Sequence, residues 1–95
     1  MTWATAVFVS RSGAWIVAQK DDEWIVFELV GEEGSVQVCD QINANWALKG
    51  GQKIFVNRLR RTVDAYLEGR FASVRIAVQK AKEWSENANQ PDRDS

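Results

Sequence analysis

The chain has no histidine, one cysteine (Cys39) and one proline (Pro91) in 95 residues. Without histidine there is no imidazole general base, no Ser-His-Asp or Cys-His nucleophile, and none of the common zinc sites. A lone cysteine forms no internal disulfide and no thiolate cluster, which fits a reducing compartment, so a cytoplasmic protein is expected. No stretch approaches the ~20 apolar residues of a membrane-spanning helix. The apolar start Met1–Val9 has no basic residue before it and does not read as a signal peptide. There is no Gly-x-Gly-x-x-Gly or phosphate-loop pattern, since Gly50-Gly51 runs into Gln52. These absences leave no catalytic constellation, no cofactor motif and no metal-ligand set, so the expectation is a protein that is not an enzyme.

What the chain does have is apolar bulk. It is 45% hydrophobic and carries five Trp, four Phe and one Tyr, a globular composition with material for one core. Charge is sorted along it. Residues 1–48 hold two basic residues against seven acidic ones, residues 49–84 hold nine against three, and residues 85–95 hold one against three. The total of −1 therefore hides an acidic first half and a basic second half. Such a field orients a partner or a second copy without setting the fold.

Short β-prone runs divide the first 42 residues. Trp3–Val9, Ala14–Gln19, Trp24–Val30 and Ser35–Ile42 are separated by Ser10–Gly13, Lys20–Glu23 and Gly31–Gly34. Alternation places Trp3, Thr5, Val7 and Val9 on one face and Ala4, Ala6 and Phe8 on the other. The β-branched and aromatic content and the Gly- and Asp-bearing loops predict an antiparallel meander. The first three runs are apolar on both faces, which calls for cover on both sides. Residues 43–51 read as a connection. Residues 53–67 fit either two strands, Lys53–Asn57 and Thr62–Leu67, or one helix with the stripe Val56-Leu59-Val63-Tyr66. The strand reading is preferred, because it explains Ile54-Phe55-Val56 and completes a small barrel; it puts Leu59 in an exposed turn. Val74, Ala77, Val78, Ala81 and Trp84 recur at helical spacing, so residues 72–86 are expected to be a helix with Ser73 as its N-cap. Residues 87–95 have no apolar period and read as a disordered tail beyond a single domain, 1–86. The fold expected is α+β: a small antiparallel β-meander or barrel of OB or SH3 size, with roughly four to six strands, then a C-terminal α-helix.

Function is then sought in surfaces. The acidic loops Asp21-Asp22-Glu23 and Glu32-Glu33 fall at opposite ends of a meander, roughly 17–20 Å apart, and do not share a site. Cys39 reads as a small half-buried filler, with acidic Asp40 beside it and no adjacent cation to activate a thiol. Five Trp exceed what a small core hides, and Trp is enriched at interface hot spots. Trp46 and Trp84 are the candidates for a protein interface, and the leading expectation is a binding or assembly domain with a protein partner or a homo-oligomer. The alternative is a nucleic-acid-binding barrel in which Lys49, Lys53, Arg58, Arg60 and Arg61 meet phosphates beside stacking aromatics. Against it stands the acidic pI of about 5.4.

Overall fold

Residues 2–88 are described by a computed structural model. Six antiparallel strands close into a barrel, followed by one helix: β1 Thr2–Val9, β2 Trp15–Lys20, β3 Glu23–Leu29, β4 Gln41–Ala44, β5 Gly50–Val56, β6 Arg61–Phe71 and α1 Val74–Ala88. The order around the barrel is β1-β2-β3-β6-β5-β4, so two three-stranded meanders are joined by a crossover. The segment 53–67 is thus two strands about the turn Asn57–Arg60.

The expected fourth run is a correction. Residues 35–40 form no strand and Cys39 takes φ 81°, while Gln41–Ala44 does pair, with β1 on one side and β5 on the other. The cause lies in the partner of β3. Its open edge is taken by β6, so the chain after Leu29 has nothing to pair with there and crosses the end of the barrel. Val36 turns inward and joins the interior cluster, and Cys39 is exposed instead of half-buried. For the same reason Asn43, Ala44, Gly50 and Gly51 belong to strands and not to the expected connection.

The interior mixes large and small side chains. Ile16, Ile25, Phe27, Leu29, Ile42 and Ile54 fill it, against Ala4, Ala6, Ala18 and Ala65. Burying a side chain such as Phe27 contributes on the order of 2–3 kcal/mol. A bulge between Ala6 and Phe8 alters the alternation read from β1. Phe8 pairs with Val17 and points outward to the helix, while Val9 pairs with Ile16 and packs on the interior. The helix covers the outside of β2, β3 and the end of β6. Ala77 and Ala81 are fully buried there against Trp15, Val17 and Val26, with Phe8, Trp24, Phe71, Val78 and Trp84 around them. Their small size lets the helix axis approach the sheet. This second layer is the cover that the doubly apolar strands require. Ser73 begins the helix, its Oγ accepting the Ile76 N–H at 3.4 Å. Asn87 and Ala88 extend the helix into the expected tail, whose remainder lies outside the described residues. No helix among the described residues is long and apolar enough to cross a membrane.

Leu59 departs from expectation. It sits in the turn but is half-buried against the interior cluster at the barrel end. Leu59→Asp is expected to cost about 1–2 kcal/mol, above the ~0.5 kcal/mol of an ordinary surface change. Urea denaturation checks it, and a midpoint equal to that of the unmodified chain would contradict the packing.

Candidate functional site

Both ends of the barrel are plugged, so any site lies outside it. At one end Val36 and Leu59 pack on the core. At the other, Trp46 folds in from the β4–β5 loop, is 4% exposed, and meets Phe27 at 6.3 Å between ring centroids. Gln52 and Arg70 hold that loop. Gln52 accepts the Asn45 N–H at 3.0 Å and donates to the Asn45 and Leu48 carbonyls, and Arg70 donates to the Trp46 carbonyl and pairs with Glu23 at 2.9 Å. The Trp46 ring is therefore not open to a partner as the sequence led one to expect. Trp84 is half-buried between Trp15, at 5.8 Å, and Phe71, at 6.3 Å, and lines a groove together with Leu48 and Lys49.

The five candidate cations do not form one patch. Arg58 makes two hydrogen bonds to the Asp40 carboxylate, at 2.9 and 3.1 Å, and a third to the Ser35 carbonyl at 2.7 Å. Arg61 lies 3.5 Å from Glu32, and Lys53 2.7 Å from Asp64. Lys49 and Arg60 have no ion-pair partner among the described residues, but they stand beyond opposite ends of β5. Two of these pairs, Arg58–Asp40 and Arg61–Glu32, and Arg70–Glu23 besides, join the basic half of the chain to the acidic half. Part of the charge sorting seen along the sequence is thus matched within the fold.

Asp40 is 6% exposed. Burial by itself raises its pKa; the Arg58 hydrogen bonds, the Gln37 N–H at 2.8 Å and the Arg58 charge outweigh that and hold the carboxyl below its ordinary value. Glu28 moves the other way: burial raises it, and Glu68 and Glu33 add to the rise. The loops 20–23 and 31–34 lie beyond opposite ends of β3, as expected. Among the described residues no group of three or more His, Cys, Asp or Glu is placed to hold a metal ion.

The face away from the helix carries a feature that motif reading missed. Trp3 on β1, Asn43 on β4 and Phe55 on β5 stand in one row across three strands. Trp3 is 46% exposed and meets Phe55 edge to face at 6.2 Å between centroids. The Asn43 Oδ1 beneath this row is buried and has no hydrogen-bond partner. The alternation of β1 did contain the signal, since Trp3 falls opposite Ala4 and Ala6; what it lacked was the neighbour, 52 positions away. Next to Phe55 the wall opens. β4 and β5 pair at only two positions, and between them lies a cleft of about 680 Å³.

No family model, curated protein or solved structure matches this chain.

Proposed function

We propose that this chain is a non-catalytic binding domain for a protein partner, a second copy included, and that it works in the cytoplasm through the barrel face that the helix leaves bare. The observation that carries this reading is Trp3. It is the most exposed of the tryptophans, on a face of strands, set edge to face against a second aromatic ring. Leaving an indole in water forgoes the burial its area offers, and tryptophan is prominent among the side chains that anchor interfaces. The plugged interior supports a surface role over a ligand held inside.

Trp3→Ser tests it. The change removes the anchor at a half-exposed position in contact with Phe55, so the melting temperature is expected to fall by several degrees, and binding is compared well below it. Affinity for the captured and purified partner, or the dimer constant from light scattering over a concentration series, is expected to weaken by about thirtyfold, the ~2 kcal/mol of a hot spot. Binding unchanged by Trp3→Ser would remove this face from the reading. Retention of a labelled single-stranded oligonucleotide at ~50 mM salt, lost when Lys49 and Arg60 are neutralised, would favour nucleic acid instead.

A further inference from the structure

We propose that the pocket between the β1–β2 turn and the end of α1 binds a phosphate monoester, held by Arg11, Lys82 and the hydroxyls of the Ser10–Ser12 pair and Ser85. This pocket of about 590 Å³ lies at the far end of β1 from Trp3.

Hydrogen-bond donors collect there without acceptors. Ser85 is 9% exposed and lines the pocket, yet its hydroxyl has no partner among the described residues. Buried hydroxyls are ordinarily hydrogen-bonded. The turn adds a second free donor. Ser10 Oγ accepts the Trp15 N–H at 3.1 Å, Ser12 Oγ accepts the Ala14 N–H at 3.3 Å, and the two oxygens lie 3.1 Å apart. Only one hydroxyl proton fits between them, whichever serine donates. The other has no acceptor among the described residues.

Two uncommitted cations line the same pocket. Arg11 is exposed at the turn and has no ion-pair partner among the described residues. Lys82 stands four residues before Glu86 on the helix but forms no pair with it; its Nζ lies over the Phe8 ring, 5.9 Å from the centroid. Glu86 is the one acid in the lining. By contrast Lys53, Arg58, Arg61 and Arg70 all have carboxylate partners. The turn itself is fixed: the Gly13 N–H donates to the Ser10 carbonyl at 2.9 Å, and the Ser10 N–H to the Trp15 carbonyl at 2.8 Å. Donors held in place before binding cost less to order.

The donor set selects the ligand class. A carboxylate brings one charge and two oxygens, fewer than these groups supply. A phosphate monoester brings a charge of about −1.5 to −2 at neutral pH and three acceptor oxygens. An arginine fork meets two of those oxygens, and the ammonium and hydroxyls meet the remaining acceptor positions.

The probe is inorganic phosphate, added at constant ionic strength to the ¹⁵N-labelled full chain, with backbone amide shifts followed by NMR. Saturable shifts are expected in residues 10–14 and 82–86, with a Kd on the order of 1 mM. Arg11→Gln and Lys82→Gln are each expected to weaken binding about tenfold, and Ser85→Ala about threefold. Arg11 and Lys82 are exposed, and alanine favours a helix, so melting curves are expected to show all three variants folded. Glu86→Gln is expected to tighten binding about threefold by removing the one acid. Lys80→Gln is the control: Lys80 pairs with Glu83 at 3.8 Å, lies outside the pocket, and its loss is expected to change nothing. Shifts that do not saturate by ~20 mM overturn the proposal. So does binding unchanged by Arg11→Gln, or weakened equally by Lys80→Gln. A blocked peptide, Ala-Ala-phosphoserine-Ala-Ala, separates two sources of the monoester. Tighter binding than inorganic phosphate assigns it to a phosphorylated segment of a partner, and binding no tighter assigns it to a small free compound; either result upholds the site. Equal binding by the unphosphorylated peptide overturns it, as does an oligonucleotide that displaces phosphate at matched phosphate concentration, since a diester would then suffice.

Discussion

Gly13→Ala is expected to destabilise the protein by about 3 kcal/mol, lowering its melting temperature by roughly 10–20 °C. Two effects add. Gly13 has φ +81°, a left-handed conformation that costs an L residue with a side chain about 1–2 kcal/mol. A Cβ there would also lie 2.8 Å from the Gly34 nitrogen and 3.1 Å from its Cα. Those atoms are backbone, and the Gly34 N–H donates to the Gly13 carbonyl at 3.0 Å, so relief requires the crossover loop to leave the β1–β2 turn. Gly31→Ala is the control. Its φ is +74° but nothing lies within 4 Å of the added carbon, so only the conformational cost of about 1 kcal/mol applies. Thermal melts of both variants decide the matter. Equal melting temperatures would show that the close approach of Gly34 does not restrain residue 13.

The second large effect is expected at Asp40. Asp40→Asn keeps the side-chain size but turns an amide toward Arg58 in place of a carboxylate. It should cost about 2 kcal/mol at neutral pH, the scale of charged hydrogen bonds lost from a buried site. The sign with pH follows from the direction of the shift. The folded carboxyl titrates below the ordinary 3.8 of aspartate, so its stabilising contribution is complete above that value. It is lost as pH falls through the folded pKa. The difference between the unmodified chain and Asp40→Asn should therefore be constant above about pH 5 and shrink in acid, as the native carboxylate is itself protonated. Glu28 contributes with opposite sign. Its pKa is raised above the ordinary 4.5, so its penalty on folding is present at neutral pH and relieved as pH falls through the raised value. Taking the difference between the two chains cancels Glu28. Urea denaturation across pH 2.5–7 measures it, and a difference independent of pH would mean that the Arg58 pairing does not hold the crossover loop.

The charge pattern has a structural role in this light. Arg58 bonds to Asp40 and to the Ser35 carbonyl, pinning the one long connection across the barrel end. An acidic residue 18 positions earlier in the chain meets its cation only because β4 and β5 are neighbours. Glu32 meets Arg61, and Glu23 meets Arg70, because β3 and β6 are neighbours. This bears on the surface left for partners. Cations committed to such pairs are poor phosphate contacts.

Local pattern by itself determined the first three strands and the helix with Ser73 at its start; within 53–67 it fitted two strands or one helix, and the tertiary structure has two strands. In each, side chains alternate or recur at the element's own period, and turn residues close the ends. It also determined the need for cover on both faces of the first sheet, which α1 supplies with Ala77 and Ala81. Tertiary structure alone decided the rest. Ser35–Ile42 alternates well enough for a strand, yet its expected partner edge on β3 belongs to β6, and no local signal states which strand wins an edge. The bulge after Ala6 turns Phe8 out to the helix and Val9 in to the core, a reversal that alternation does not contain. Trp46 looked like a surface residue in a polar connection, and became a plug because Gln52 and Arg70 fold its loop into the barrel mouth. The candidate site is of the same kind. Trp3, Asn43 and Phe55 come from three separate strands and share a row only because β1 and β5 both pair with β4. Periodicity reports the face on which a side chain lies; which strands become neighbours is settled by competition among distant segments, and the binding surface is built from that outcome.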